Sequence, residues 1–128
     1  MNLLVIDFRK LLAKGVKDFT KIDHTIFNFE SLRRLLYLLS KRKAQVYFLN
    51  FPIEADFDKL VLFWIDNCYP GRIAGYVNSV EELYSTGIDD DRDPIAKKSD
   101  FVWSIVSYGE PTPITDDDVK LAIYYLPS

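Results

Sequence analysis

Short apolar runs alternate along the chain with longer segments in which apolar residues recur every three or four positions. Residues 2–6 (NLLVI) are continuously apolar, the pattern of a strand buried on both faces of a parallel sheet. After Asp7, the residues Phe8, Leu11, Leu12, Gly15, Val16 and Phe19 recur at helical spacing, with Arg9, Lys10, Lys14 and Lys17 between them. This predicts an amphipathic helix over residues 8–19 with a basic outer face and Asp7 as its N-cap. Gly15 opposes it, at about 1 kcal/mol inside a helix. Residues 20–27 have no period and predict a connector, which carries His24, the one histidine. No cysteine, serine or carboxylate motif is tied to His24 by spacing, so the reading is a solvated or hydrogen-bonding residue.

Residues 28–51 (NFESLRRLLYLLSKRKAQVYFLNF) form the unit around which the rest is organised. Asn28 suits an N-cap and Glu30 the first turn; Leu32, Leu35, Leu36 and Leu39 make one apolar face. Lys41, Arg42 and Lys43 suit the negative end of the helix dipole. Residues 44–51 then read as a strand, closed by Pro52, which has no N–H for a ladder. Phe57, Leu60, Val61, Trp64, Ile65 and Cys68 give the cleanest helical period. Leu62 and Phe63 widen its apolar surface, so this helix is expected to be central or covered, with Cys68 on the buried stripe. Pro70-Gly71 breaks the chain before a third strand over residues 72–77. Ser79 and Glu82 have capping-box spacing, predicting a short helix over residues 80–86. Residues 88–100 (IDDDRDPIAKKSD) read as a solvated polar loop. Residues 101–107 predict a fourth strand. Thr115 and Asp118 again have capping-box spacing, before a last helix through Leu126. Strands and helices so ordered imply an α/β fold: a three-layer, Rossmann-like sandwich around a mainly parallel sheet of four to five strands, in a single domain over residues 1–128.

Composition narrows this picture. The 128 residues suffice for a core without metals or disulfides. With one cysteine, Cys68, no intramolecular disulfide can form, and a reducing compartment is expected. Asp7, Arg9 and Lys10 interrupt the first apolar run, so no secretory signal is visible, and the longest apolar run, residues 60–65, is too short to span a membrane. A cytoplasmic protein without membrane contact is expected. Aromatics make up 15% of the chain, enough to place some on a contact surface with a protein partner or a second copy. The net charge of −3 hides an asymmetry: residues 1–50 carry ten Lys/Arg and four Asp/Glu, residues 51–128 six and fifteen. That makes either a molecular dipole or charges that interleave in space. Nucleic acid is not expected, since a helix terminus explains the basic triplet of residues 41–43.

In open α/β sheets, ligands bind beyond the carboxyl ends of the strands. Those ends are Asp7, Asn50, Asn78 and the 107–118 segment. Asp7, Glu110, Asp116, Asp117 and Asp118 could therefore converge there and offer oxygens to Mg²⁺ or lie near a small phosphorylated ligand. The alternative is that Asp7 and the Asp116–Asp118 run cap helices. No Gly-rich phosphate loop, zinc spacing or nucleophile elbow occurs.

The layout resembles the haloacid-dehalogenase-type phosphohydrolases in an apolar strand ending in aspartate (LLVIDFRKLL), a helix SLRRLLYLLSKRK, a strand VYFLNF ending in a small polar residue, and an acidic loop after a late strand (FVWSIVSYGEPTPITDDD). The resemblance implies Asp7 as nucleophile, Asn50 as phosphate contact, Lys97 or Lys98 as the catalytic lysine, and Glu110 and Asp116 as Mg²⁺ ligands. Three departures stand against the resemblance, one being that the family's flexible loop after the first aspartate reads here as a helix. Arg9 stands where the family has its acid/base aspartate, and Asn50 where it has a hydroxyl. Loss of the acid/base alone costs about 10²–10⁴ in rate. The chain is also similar to PIN-domain nucleases, in which a first-strand aspartate leads directly into a helix. That likeness implies Asp7, Asp100 and Asp116 or Asp117 as metal ligands; no clear middle acid stands in the chain, although Glu54 is available. The expectation is a non-catalytic binding or interaction module on a phosphohydrolase-like scaffold. Its rival is a Mg²⁺-dependent phosphohydrolase or nuclease.

Overall fold

The computed structural model describes residues 2–84 and 101–128. Among the described residues four strands, β1 (Asn2–Asp7), β2 (Ala44–Leu49), β3 (Arg72–Val77) and β4 (Phe101–Ile105), form one sheet in the order β3-β2-β1-β4. Every pairing is parallel, with Asn2 opposite both Ala44 and Phe101. The α-helices among the described residues are α1 (Phe29–Lys41), α2 (Phe57–Asp66) and α3 (Asp116–Tyr125). This is the Rossmann-like three-layer α/β class that the sequence implies.

β1 is central because all six of its residues are buried. Leu4 and Ile6 join Val46, Phe48, Ile73 and Ile105 in the larger core with all three helices. Leu3 and Val5, pointing the other way, cluster with Leu49, Val77 and Leu83. Right-handed crossovers explain the division. The steps from β1 to β2 to β3 run in one direction and put α1 and α2 on one face. The return toward β4 starts on the opposite face, where Leu83 of a 3₁₀ turn, Val80–Tyr84, covers β1. α3 comes back to the first face and packs beside α1.

α1 follows its sequence signals closely. The Asn28 side chain accepts from the Ser31 N–H at 3.0 Å, and Leu32, Leu35, Leu38 and Leu39 are buried. Each such leucine contributes about 1.5–3 kcal/mol relative to exposure. Arg42, in the basic triplet, donates through Nε to the Leu126 carbonyl at 2.7 Å and satisfies the end of α3. The two charge-rich halves interleave here: Arg34 pairs with Asp116 at 3.0 Å.

Residues 8–19 do not form the expected helix. Only Phe8–Leu11 is helical, as a 3₁₀ helix, before Leu12 becomes extended and bridges antiparallel to Phe27. Ala13 N–H donates to the Ile26 carbonyl at 2.8 Å, and Asn28 N–H to the Leu11 carbonyl at 2.7 Å. Gly15 has φ +79°, a left-handed turn that no α-helix contains. Phe8 and Leu11 still join the core and Leu12, Val16 and Phe19 pack on it, so the apolar spacing reported burial and not helicity.

Two further expectations change. Leu62 and Ile65 of α2 are exposed, so its second apolar side is not covered. Cys68 is exposed, because α2 stops at Asp66 and the chain turns away through a left-handed Cys68, φ +55°. The helix expected over residues 80–86 is a 3₁₀ turn in its described part, and the acidic loop of residues 88–100 lies outside the described residues.

Candidate functional site at the carboxyl rim of the sheet

The strand order reverses between β1 and β4, which places the topological switch point at the carboxyl end of β1. Asp7 ends that strand and is 1% exposed. Its Oδ1 accepts from the Arg9 N–H and Arg9 Nε, both at 3.0 Å. Its Oδ2 accepts from Arg9 Nη2 at 2.6 Å and from the Asn50 amide at 3.1 Å. Asn50 reaches back because it leaves β2 with φ +56°, a left-handed conformation that asparagine tolerates better than most residues. Burial pushes the Asp7 pKa up. The Arg9 hydrogen bonds and charge, helped by the Asn50 amide, outweigh it and hold the carboxyl below its ordinary value. The same bonds raise the pKa of Arg9.

Lys10, assigned by its spacing to the outer face of a helix, is instead 5% exposed. Its ammonium donates to Ser107 Oγ and Thr112 Oγ1, each at 3.3 Å, and lies 4.0 Å from the Asp118 carboxylate. Ser31, fully buried in the first turn of α1, donates its hydroxyl to the Lys10 carbonyl and accepts from the Ile114 N–H at 2.8 Å. Together these bonds tie the turn after β1 and the segment before α3 to one rim.

Of the residues expected at the site, Asp7 and Asn50 meet. Glu110 shares with Arg9 the wall of an open cavity of about 560 Å³ beside the switch point. The other late acids do not join them. Asp116 is held by Arg34, Asp117 is exposed in the first turn of α3, and Asp118 closes the capping box with Thr115. Among the described residues no three His, Cys, Asp or Glu side chains gather where they could hold a metal ion. The expected Mg²⁺ set of Asp7, Glu110, Asp116 and Asp117 is therefore not assembled. Arg9 occupies both oxygens of Asp7, and the α3 acids serve a cap and an ion pair. Lys97, Lys98 and Asp100 lie outside the described residues. Glu54 is exposed in the turn after β2. His24 bonds Tyr69 through Nε2 at 2.5 Å and packs edge-on to Phe63, a hydrogen-bonding role.

A second hollow of about 320 Å³ flanks the rim at the ends of β2 and β3, lined by Asn50, Phe51, Tyr76 and Asn78. Phe51 and Tyr76 stack there at 5.2 Å. Arg9 and Lys10 are the residues that sequence reasoning missed. Arg9 read as a lost acid, and its spacing of two from Asp7 was the available signal for an Asx turn. Lys10 gave none, since its burial depends on contacts about a hundred residues away.

No family model, no curated protein and no solved structure gives a significant match to the chain. Among the described residues no helix is long and apolar enough to cross a membrane.

Proposed function

We propose that the chain is a non-catalytic binding module on a scaffold resembling that of the haloacid-dehalogenase-type phosphohydrolases. The observation that carries this reading is the state of Asp7. A nucleophilic carboxylate needs a free lone pair and an approach path. Asp7 has neither, because Arg9 takes both oxygens and Asn50 adds to one of them. Arg9 sits where the comparison family keeps its acid/base aspartate, so the replacement removes one group and ties up the other. Exposed aromatics, Tyr108 at 97% and Tyr124 at 80% among them, support contact with a protein partner or a second copy.

The test is hydrolysis of p-nitrophenyl phosphate with and without millimolar Mg²⁺, on wild type and Asp7→Asn. The expected result is no turnover above background in either protein. A Mg²⁺-dependent rate lost in Asp7→Asn would sink this reading in favour of an active phosphohydrolase or nuclease. Thermal melting gives the second readout, with no rise in Tm expected on adding Mg²⁺.

A further inference from the structure

The geometry points to an oxyanion-binding pocket in the cavity beside β1, with Arg9 as its anchor and Lys14 as its second cation. This inference rests on the non-catalytic reading, in which Asp7 holds Arg9 and attacks nothing. A guanidinium has two edges able to form paired bonds. Asp7 takes the Nε/Nη2 edge, with bonds of 3.0 and 2.6 Å. The Nη1/Nη2 edge remains, and Nη1 has no hydrogen-bond partner among the described residues. Arg9 is thus oriented from behind by a buried carboxylate, while its side chain stays 38% exposed and lines the cavity. Pre-orientation of this kind lowers the entropy lost on binding.

The rest of the cavity defines the ligand. Lys14, exposed and without an ion-pair partner among the described residues, adds a second positive charge on the wall. Leu12, Val16 and Pro113 make an apolar side. Glu110 stands on the same wall and limits the charge that the cavity accepts. At about 560 Å³ the space suits a small organic molecule and exceeds what a bare ion needs. The ligand class is a small, partly apolar molecule ending in phosphate or carboxylate, since both fit the free edge of Arg9.

Isothermal titration at low ionic strength with phenyl phosphate, benzoate and inorganic phosphate tests this, with phosphate release followed in parallel. Phenyl phosphate or benzoate is expected to bind more tightly than inorganic phosphate, and whichever of the two is tighter identifies the headgroup. Lys14→Glu, a substitution at an exposed site, should weaken binding by about fivefold or more. Arg9→Lys keeps a charge beside Asp7 but loses the second edge, and should weaken binding further. Absence of binding by all three probes overturns the pocket and leaves the non-catalytic reading standing, as does affinity unchanged in both variants. Phosphate release that depends on Asp7 overturns both.

Discussion

Arg9 Nη2 lies 2.6 Å from Asp7 Oδ2, a charge pair between residues two apart, made beneath a 3₁₀ turn at the end of the central strand. The pair turns the one aspartate with a nucleophile's address into a support for an arginine. Its energetics follow from burial on one side only: the Asp7 side chain is 2% exposed and that of Arg9 38%. Losing Arg9 strands the carboxylate, whereas losing Asp7 leaves a guanidinium that water can reach.

The first prediction concerns pH. The Asp7 pKa is lower in the fold than its ordinary value of 3.8. The pair therefore stabilises the protein above that value, and its contribution is lost as pH falls through the lower folded value. In Arg9→Gln the burial that raises the pKa remains while the guanidinium bonds and charge that lower it go, leaving only the residue-9 N–H and the Asn50 amide on the carboxylate. Urea unfolding between pH 3 and 7 should show a loss of about 1–3 kcal/mol at pH 7. It should also show an acid limb that begins at higher pH than in wild type. An acid limb that stays in place would mean that the pair is not formed in solution.

Gly15→Ala discriminates the turn from a helix by sign. In a helix, alanine would stabilise by up to about 1 kcal/mol. In the left-handed turn, where φ is +79° and a Cβ meets nothing within 4 Å, only backbone strain counts. Chemical denaturation should show a loss of about 1–2 kcal/mol. A gain in stability would restore the helix over residues 8–19.

Ser31→Ala removes the hydroxyl that serves the Lys10 carbonyl and the Ile114 N–H. Each group left unsatisfied in the core costs about 1–3 kcal/mol. A loss of about 2–4 kcal/mol is expected, with faster hydrogen exchange at the Ile114 amide. Exchange at Ile114 as slow as in wild type would show that the link is not made.

Lys10 separates charge from packing. Lys10→Met keeps a stem of similar length and no longer buries an ammonium, so stability should stay within about 1 kcal/mol of wild type. Lys10→Glu puts a carboxylate in the same buried place near Asp118 and should cost more than about 3 kcal/mol. Equal effects of the two substitutions would place the side chain in solvent.

Much of this fold was legible from local patterns. NLLVI gave β1, Asn28 and the leucine spacing gave α1, and Thr115 with Asp118 gave the start of α3, because propensity, capping and burial agree at those positions. Residues 8–19 misled because their apolar spacing is met equally by a 3₁₀ turn followed by an extended return strand. The deciding bonds run to residues 26–28, beyond any helical window. For the site, strand ends located Asp7, Asn50 and Glu110 at one rim. Of the late acids, Asp118 caps α3 with Thr115 as the capping-box spacing implies, whereas the Arg34 partner of Asp116 and the Lys10 ammonium near Asp118 are remote in sequence and periodicity does not reveal them.

The parallel pairing of Asn2 with Phe101 has a consequence for synthesis. At about 5–20 residues per second, roughly 5–20 s separate the emergence of the first strand from that of its last neighbour. During that interval the strand whose six residues all become buried has a backbone edge that is closed by a segment about a hundred residues later. Nascent copies crowded on one message share the same open edge, which makes translation the stage at which this protein is most exposed to misassembly.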